Sequence, residues 1–313
     1  MSSTHPSHPL PALRRLGAVS LAAATVLCLV PTGAASAAPR SATPAAGASS
    51  ITAPTRLPVP SRAARAAGVE PGNAPMGWRQ HAAATAAPAP RSGPATTAAA
   101  KAYVPSGVLG IDVASYQRTV NWTRYAAAGK DFAYVKATEG TSYKNPYFRS
   151  QYDGSRKAGL IRGAYHFASP SGSSGKKQAQ FFVSHGGGWT ADGRTLPGVL
   201  DIEYNPYGST CYGLSKKAMV SWVNSFVDEY ERLTGRDAVI YTTTDWWTRC
   251  TGNSTKFSRT NPLWAARYGT RDPGKLPGSW GWATFWQYSA SPVDQDRFSS
   301  KYSRLVVLAT DAG

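Results

Sequence analysis

The chain has 313 residues, of which 42% are hydrophobic and 11% aromatic. At roughly 100–200 residues per domain, this length allows one or two folded domains with a sizeable core. The aromatic content excludes a wholly disordered protein, and the composition is not that of a collagen or a coiled coil. With 34 basic and 17 acidic residues, the net charge is +17. That charge suits an anionic partner such as nucleic acid, a membrane surface or a cell-wall polymer.

Metal, cofactor and nucleic-acid signatures are weak in this sequence. It has no phosphate-binding loop, no zinc-finger spacing and no basic run with interleaved aromatic residues of the RNA-binding kind. No Cys-x-x-Cys pair occurs, and the region after residue 106 contains only two histidines, His166 and His185. We therefore expect no structural zinc site, no cofactor and no nucleic-acid partner.

The first 37 residues have the pattern of a secretory signal peptide. Arg14 and Arg15 precede an apolar run over 18–30, and Ala35-Ser36-Ala37 follows as a cleavage site. A membrane anchor needs about 20 apolar residues, and this run is shorter. Cleavage after Ala37 predicts a secreted, extracellular protein that makes no membrane contact once the signal is removed.

Cysteine arithmetic supports the same compartment. Removal of the signal peptide would take away Cys28 and leave Cys211 and Cys250 as an even pair. In an oxidising compartment such a pair predicts a disulfide, which here closes a loop of about 40 residues.

Residues 38–106 consist mostly of Ala, Pro, Ser, Thr, Gly and Arg. Little in this stretch can form a core, so we interpret it as a flexible pro-segment or linker. Met76-Gly77-Trp78 is a hint of a docking element, but the favoured interpretation is a stray tryptophan in a linker.

A folded domain is predicted from residue 107 to the C-terminus, where short apolar runs alternate with amphipathic ones. Strands are predicted over 108–113, 132–137, 160–167, 198–202, 238–242, 263–267 and 284–288. The clearest helix is predicted over 216–233, and weaker ones over 122–130, 148–158 and 176–184. The alternating order predicts an α/β fold with a parallel sheet. An open doubly wound sheet is possible, but seven or eight strands in about 200 residues fit an irregular TIM-like barrel better. In both folds, ligand chemistry belongs at the carboxyl ends of the strands.

Carboxylates follow several of these predicted strands. Asp112 ends the first strand, Asp201 and Glu203 end the fourth, and Asp294 and Asp296 lie near the C-terminus. Because successive strand residues face opposite sides, Asp201 and Glu203 point the same way. Clustered and partly buried carboxyl groups can hold one member protonated as a general acid, which is what glycoside hydrolysis needs. Helix capping, pairing with Arg and metal binding are the alternatives.

Aromatic residues near the strand ends support a sugar ligand, since their flat apolar faces suit pyranose rings. They are Tyr165, Tyr241, Trp264, Trp286 and Tyr288. Each of them could instead belong to the core. We interpret His166 as a structural residue rather than a catalyst, because no nucleophilic Ser or Cys stands beside it.

Taken together, these residues resemble glycoside hydrolase family 25, the lysozymes that cleave bacterial peptidoglycan. The resemblance runs from about residue 107 to the C-terminus. It rests on the order and spacing of Gly110-Ile111-Asp112-Val113, Val135-Lys136-Ala137-Thr138-Glu139-Gly140, Gly163-Ala164-Tyr165-His166-Phe167, Asp201-Ile202-Glu203, Ile240-Tyr241-Thr242, Pro262-Leu263-Trp264 and Trp286-Gln287-Tyr288.

The resemblance implies an incomplete barrel of the type (β/α)5(β)3. It also implies hydrolysis of the β-1,4 bond between N-acetylmuramic acid and N-acetylglucosamine, by a retaining and substrate-assisted route. By the family pattern, Glu203 is the general acid/base, Asp201 orients the 2-acetamido group, and Asp112 and Asp294 complete the acidic wall. Tyr165, Tyr241, Trp286 and Glu139 are candidates for substrate binding. The family commonly has Asn at the position of Asp296, so the sequence leaves open whether Asp294 or Asp296 lines the groove.

Two other functions remain open at this point. A chitinase-like hydrolase also uses an Asp-x-Glu pair on a barrel strand, and a non-catalytic cell-wall-binding module would share the basic charge. Presence of all four acidic residues argues against the latter. We expect a monomer that acts on peptidoglycan, with anionic wall polymers as further partners.

Overall fold

A computed structural model of the chain describes residues 57–81 and 103–311. The predicted signal peptide over residues 1–37 therefore lies outside the described residues. Among those that are described, no helix is both long and apolar enough to cross a membrane.

The described residues form nine strands. Their bounds are β1 Val108–Val113, β2 Lys130–Glu139, β3 Tyr143–Lys144, β4 Ile161–Phe167, β5 Val199–Asp201, β6 Val239–Thr242, β7 Leu263–Ala266, β8 Phe285–Ser289 and β9 Asp294–Phe298. All seven predicted strands are present. Strands β3 and β9 are additional, because their short polar sequences lack the apolar run that signals a strand.

Helices follow the first five barrel strands. They are Trp122–Ala127, Phe148–Lys157, Gly175–Phe182 with a π-helical extension Val183–Gly187, Lys216–Thr234 and Thr244–Thr251. Short helices also occur at Arg62–Ala66, Ser115–Gln117 and Tyr302–Leu308. The predicted helix over 216–233 is confirmed, with Ser215 as its N-cap and Gly235 in the left-handed conformation at its end. Helix Thr244–Thr251 is not among the predicted helices, since its eight residues give too short a periodic pattern.

Strand pairing closes the sheet into a barrel. Seven strands run parallel in the order β1, β2, β4, β5, β6, β7 and β8. Strand β9 is antiparallel to both β8 and β1 and completes the ring, while β3 pairs only with β2. Five strand–helix units followed by three strands form the predicted (β/α)5(β)3 barrel, so the irregular barrel is confirmed and the open sheet is wrong.

The barrel interior changes character along its axis. Large apolar side chains fill most of it, among them Phe132, Tyr134, Val199, Trp264 and Phe285. The inward-facing positions at the carboxyl ends of the strands are polar instead. Outside the ring, a second apolar cluster packs the sheet against the helices. The interior is thus a packed core with a polar layer at one end, which is where a barrel places its chemistry.

Residues 57–81, which we call the N-terminal segment, pack against this polar end of the barrel. Ser61 caps a short helix, with the Ala64 amide donating to its hydroxyl oxygen at 3.1 Å. The Ser61 amide donates to the carbonyl of Pro206 at 2.8 Å, and Trp78 is only 5% exposed. The expected flexibility is therefore wrong for this part of residues 38–106, whereas its assignment as a pro-segment or a linker stays a prediction. Composition alone gave the wrong expectation, because a few apolar residues are enough to order the segment when the barrel supplies the rest of the core.

A disulfide joins the loop after β5 to helix Thr244–Thr251. Cys211 is bonded to Cys250, with their Cα atoms 5.3 Å apart and a sequence separation of 39. The predicted pairing is confirmed in the structure.

We expect the double variant Cys211→Ser/Cys250→Ser to lose about 3–4 kcal/mol in free energy of unfolding, because the unfolded chain regains the entropy of an open loop of this size. For a domain of this length, that loss corresponds to a Tm lower by roughly 6–16 °C. Calorimetry of the variant, and of the wild type with and without a reductant, measures it. An unchanged Tm, or two freely alkylated thiols in the native protein, would contradict the prediction.

Candidate active site

Four acidic residues meet at the carboxyl end of the barrel, as the sequence predicted. Asp112 lies in β1, Asp201 ends β5, Glu203 follows it by two positions, and Asp294 begins β9. Asp112 and Asp294 are direct partners in the antiparallel pairing of β1 with β9. All four are buried, with Asp201 and Glu203 having no exposed surface.

Side-chain alternation in β5 directs the acidic pair inward. Val199 belongs to the apolar cluster inside the barrel, whereas Leu200 and Ile202 pack in the cluster between the sheet and the helices. Asp201 and Glu203 share the side of Val199 because strand residues two positions apart face the same way. The predicted orientation of this strand is confirmed.

Strand β9 answers the question that the sequence left open about Asp294 and Asp296. Both are buried, and they alternate with the half-buried Gln295. Because β9 runs antiparallel to β1, its first residue lies at the open end of the barrel and Asp296 lies deeper. Asp294 therefore faces the mouth of the site, and Asp296 supports the floor beneath it.

The buried carboxyl groups have raised pKa values. Burial is the largest cause for Asp112, Asp201 and Glu203, and the negative charge of neighbouring carboxylates adds to it. The pKa of Glu203 is raised to about 8, although the Gly77 amide that donates to it acts in the opposite direction. Burial therefore favours the protonated form of Glu203 at neutral pH.

Gln287 organises one side of the cluster and was missed as a functional residue by the sequence analysis. Its side-chain amide donates to Asp112 Oδ2 at 2.6 Å. Its oxygen accepts hydrogen bonds from the hydroxyls of Tyr241 and Tyr268, each at 2.6 Å. The order Trp-Gln-Tyr in β8 is the signal that could have found Gln287, because an amide between two aromatic residues in a buried strand needs polar partners.

Lys136 and Glu139 form a second buried polar group at the end of β2. The Lys136 ammonium lies 2.6 Å from Glu139 Oε2 and is fully buried, and the Tyr207 hydroxyl also donates to Glu139. Glu139 was a predicted substrate-binding residue, whereas Lys136 was not singled out. A lysine directly after the apolar run 132–135 of this strand is the signal for a functional residue, since an unpaired buried charge is costly.

The aromatic candidates divide into two sets. Tyr165 is buried in the barrel interior, where the charges of Asp112 and Asp201 act on it, and Tyr241 donates to Gln287. Trp286 lies on the opposite face of β8 from Gln287, and its indole donates to the carbonyl of Arg267 at 2.9 Å. The structure does not bring Trp286 to the carboxylates, so its part in substrate binding stays a prediction.

His166 has the environment of a structural residue. Its Nε2 donates to Gln178 Oε1 at 2.9 Å, and its Nδ1 accepts from the Thr138 hydroxyl at 2.8 Å. Burial lowers the pKa of His166 to about 3, which keeps the ring neutral. Within residues 57–81 and 103–311, no group of three or more His, Cys, Asp or Glu side chains is arranged to hold a metal ion.

The N-terminal segment lies directly over the acidic cluster. The Gly77 amide donates to Glu203 Oε1 at 2.5 Å, and His81 Nε2 lies 2.9 Å from Asp294 Oδ1. Met76 joins the apolar cluster inside the barrel and has no exposed surface. The segment therefore supplies part of the burial that raises the carboxyl pKa values.

We expect the pKa of Glu203 to fall from about 8 when the N-terminal segment is released. Burial is the largest cause of the raised pKa, and the Gly77 hydrogen bond is a smaller cause of opposite sign. Release of the segment admits water to Glu203, and water favours the ionised carboxylate. Carboxyl carbon shifts of Glu203, titrated before and after the chain is cut between residues 81 and 103, measure the change. A pKa that stays constant or rises on release would contradict it.

A closed α/β barrel that gathers paired carboxyl groups at the carboxyl ends of its strands has the architecture of a barrel glycoside hydrolase. The sequence profile of the glycosyl hydrolases family 25 matches residues 111–296 of this chain. The chain belongs to this family and is a glycoside hydrolase of the lysozyme type.

Individual relatives agree with this membership. The chain is 49% identical over 214 residues to lysozyme M1 of Streptomyces globisporus, a match that covers 66% of this chain and 72% of that protein. It is 49% identical over 185 residues to the N,O-diacetylmuramidase of a Chalaropsis species, covering 58% and 88%. Among solved structures, the muramidase of Acremonium alcalophilum shares 53% identity with a TM-score of 0.64, covering 65% of this chain and 99% of that one. The lysozyme of Streptomyces coelicolor shares 48% identity with a TM-score of 0.65, covering 66% and 99%.

Proposed function

We propose that the protein is an exported N-acetylmuramidase that hydrolyses the β-1,4 bond between N-acetylmuramic acid and N-acetylglucosamine in peptidoglycan. The observation that carries this proposal is the buried pair Asp201 and Glu203 on one face of β5, with Asp112 and Asp294 across the barrel mouth. The relatives named lysozyme and muramidase support the same substrate.

Glu203 is the general acid and then the general base in this proposal. Its carboxyl group gives a proton to the glycosidic oxygen as the bond from that oxygen to the anomeric carbon breaks. The resulting carboxylate then takes a proton from the water that attacks the anomeric carbon. A carboxyl group whose pKa lies near the working pH suits both steps.

Asp201 acts on the 2-acetamido group of the substrate. In a substrate-assisted reaction the acetamido oxygen bonds to the anomeric carbon, and positive charge develops on the acetamido group. A carboxylate that accepts the acetamido N–H orients this group and stabilises the charge. Both Asp201 oxygens are buried with no hydrogen-bond partner among the described residues, so they can accept from a substrate amide once the N-terminal segment has left the site.

We also propose where the enzyme acts and in which oligomeric state. The excess of basic over acidic residues favours retention near anionic wall polymers, and the predicted signal peptide would direct the enzyme out of the cell. We propose that it works as a monomer, since one barrel holds every residue of the acidic site.

Purified peptidoglycan and chitin distinguish the proposed activity from that of a chitinase-like hydrolase. The chain is cut between residues 81 and 103 beforehand, because the N-terminal segment covers the carboxylates. We expect soluble fragments from peptidoglycan alone, with mass spectrometry showing reducing-end N-acetylmuramic acid. Release of sugar from chitin at a similar rate would favour the chitinase-like function, and no release from either would favour a non-catalytic wall-binding module.

A further inference from the structure

We propose that the N-terminal segment, residues 57–81, is a built-in inhibitor that occupies the substrate cleft and keeps the enzyme latent until the chain is cut between this segment and the barrel. This inference rests on the proposed function, because it concerns access to the same acidic site. It assigns a role to Met76-Gly77-Trp78, which the sequence suggested only as a stray element.

The segment engages the reacting group itself. The Gly77 amide donates to Glu203 Oε1 at 2.5 Å, so the backbone lies where the glycosidic oxygen has to accept its proton. Across the mouth of the barrel, His81 pairs with Asp294 at 2.9 Å. With Glu203 and Asp201 left without exposed surface, a sugar cannot touch either of them while the segment is in place.

A second set of contacts holds the segment at the end of β2. The Ala74 amide donates to Glu139 Oε2 at 2.8 Å, and the Lys136 ammonium donates to the Ala74 carbonyl at 2.5 Å. Trp78 donates through its indole to the carbonyl of Tyr204 at 2.7 Å. These are buried, directional bonds to fixed atoms of the barrel, and a surface linker would not form such a set.

Buried apolar side chains of the segment also hold it on the barrel, in addition to these hydrogen bonds. Val69, Ala74 and Trp78 join the cluster that packs the sheet against its helices, while Met76 enters the barrel interior. The guanidinium of Arg79 also lies 4.3 Å from the centre of the Tyr204 ring. The segment thus packs into the clusters of the barrel itself, and Asp201 and Glu203 have no exposed surface beneath it.

The segment lies outside the part of the chain that the family profile matches. That profile begins at residue 111, after the segment. Two solved relatives are covered over 99% of their own length by about two thirds of this chain. A segment that lies outside the family profile but contacts the proposed catalytic acid is suited to control.

Cutting the covalent connection between the segment and the barrel would release the segment. Residues 82–102 join the segment to the barrel, and they are rich in Ala, Pro and Thr. A covalent connection makes docking of the segment an intramolecular event. When an endopeptidase hydrolyses one peptide bond in 82–102, docking becomes bimolecular, and dilution then empties the cleft.

The test places a specific protease site within residues 82–102 of the full chain and measures kcat/KM on soluble peptidoglycan fragments before and after the cut. If the docked form is about 99% populated, cutting raises kcat/KM about a hundredfold. Equal activity before and after cutting would overturn the inhibitor assignment. No activity in either form would instead overturn the proposed function, so the two failures are distinguishable.

A matched pair of glycine variants tests the same proposal without a protease. Gly77 has φ +71°, and a Cβ placed on it would come closer than 3.0 Å to the side-chain oxygens of Tyr268, Gln287 and Tyr241. Gly68 has φ +80° in the same segment, but a Cβ there meets nothing within 4 Å. Both substitutions by Ala strain the backbone, and only Gly77→Ala collides with the cleft.

We expect uncut Gly77→Ala to approach the kcat/KM of the cut wild type, whereas uncut Gly68→Ala stays latent. Hydrogen exchange gives a second readout, since the Gly77 amide should be protected in Gly68→Ala and should lose that protection in the cut protein. Gly77→Ala that stays as latent as Gly68→Ala, or a Gly77 amide that exchanges freely in the uncut wild type, would overturn the proposal.

Discussion

Replacing Glu203 with Gln is expected to lower kcat on peptidoglycan by about 10²–10⁴-fold, the usual contribution of a positioned general acid. An amide has nearly the same shape as the carboxyl group, so packing at the end of β5 is retained. It has no acidic proton to give to the leaving oxygen. The measurement is steady-state hydrolysis of soluble peptidoglycan fragments by the cut chain, with the Tm recorded beside it.

Glu229→Gln provides the matched control for this experiment. Glu229 is also poorly exposed, but it lies on helix Lys216–Thr234, where it pairs with Arg232 at 2.7 Å, away from the barrel mouth. We expect this variant to keep its kcat. Near-normal turnover in Glu203→Gln, or an equal loss in Glu229→Gln, would contradict the assignment of Glu203 as the acid.

Asp201→Asn is expected to reduce kcat by about 10²-fold with a much smaller change in KM. The Asp201 charge gains value only as positive charge develops on the acetamido group, so its loss destabilises the transition state more than the bound substrate. A loss of this size is typical when one preorganised electrostatic partner is removed. Asp112→Asn should follow in the same direction but less severely, since Asp112 belongs to the wall of the site.

Asp192→Asn is the control for Asp201→Asn. Asp192 precedes β5 and so lies at the amino end of the barrel, where it accepts a hydrogen bond from the Arg194 amide at 2.8 Å.

The anomeric form of the first product provides the sharper test of mechanism. Proton NMR of early products from the cut wild-type chain should show the β anomer, since the acetamido oxygen attacks first and water then attacks from the opposite face. Initial α anomer would mean direct inversion and would give Asp201 a water-activating role.

Local sequence rules predicted much of the barrel and of its acidic site. The apolar runs gave seven of the nine strands, and the two-residue period placed Asp201 and Glu203 on one face of β5. Both inferences need only neighbouring residues. Local sequence rules did not predict strand β9. Its acidic and polar residues carry no apolar pattern, and they become buried only when the barrel closes around them.

Partners distant in sequence lay beyond these rules. Gln287 reaches Asp112 across 175 positions, and Lys136 pairs with backbone of the N-terminal segment 62 positions away. Local sequence marks Gln287 and Lys136 as buried polar residues that need partners, but it does not identify those partners. One partner lies on a strand across the closed ring and the other on the N-terminal segment. The depth of Asp296 below Asp294 was likewise decided by the antiparallel direction of β9.

The sequence by itself determined the class of fold, the acidic pair on β5 and the cysteine pair, since each depends on residue type and spacing. Only the tertiary structure decided the state of the site. Residues 57–81 carry too few apolar side chains to fold alone, and their composition therefore predicts a linker. The barrel provides the missing core and the buried carboxylates that bind the Gly77 amide and His81. A segment whose order depends on a surface formed by other parts of the chain cannot be predicted from its own composition.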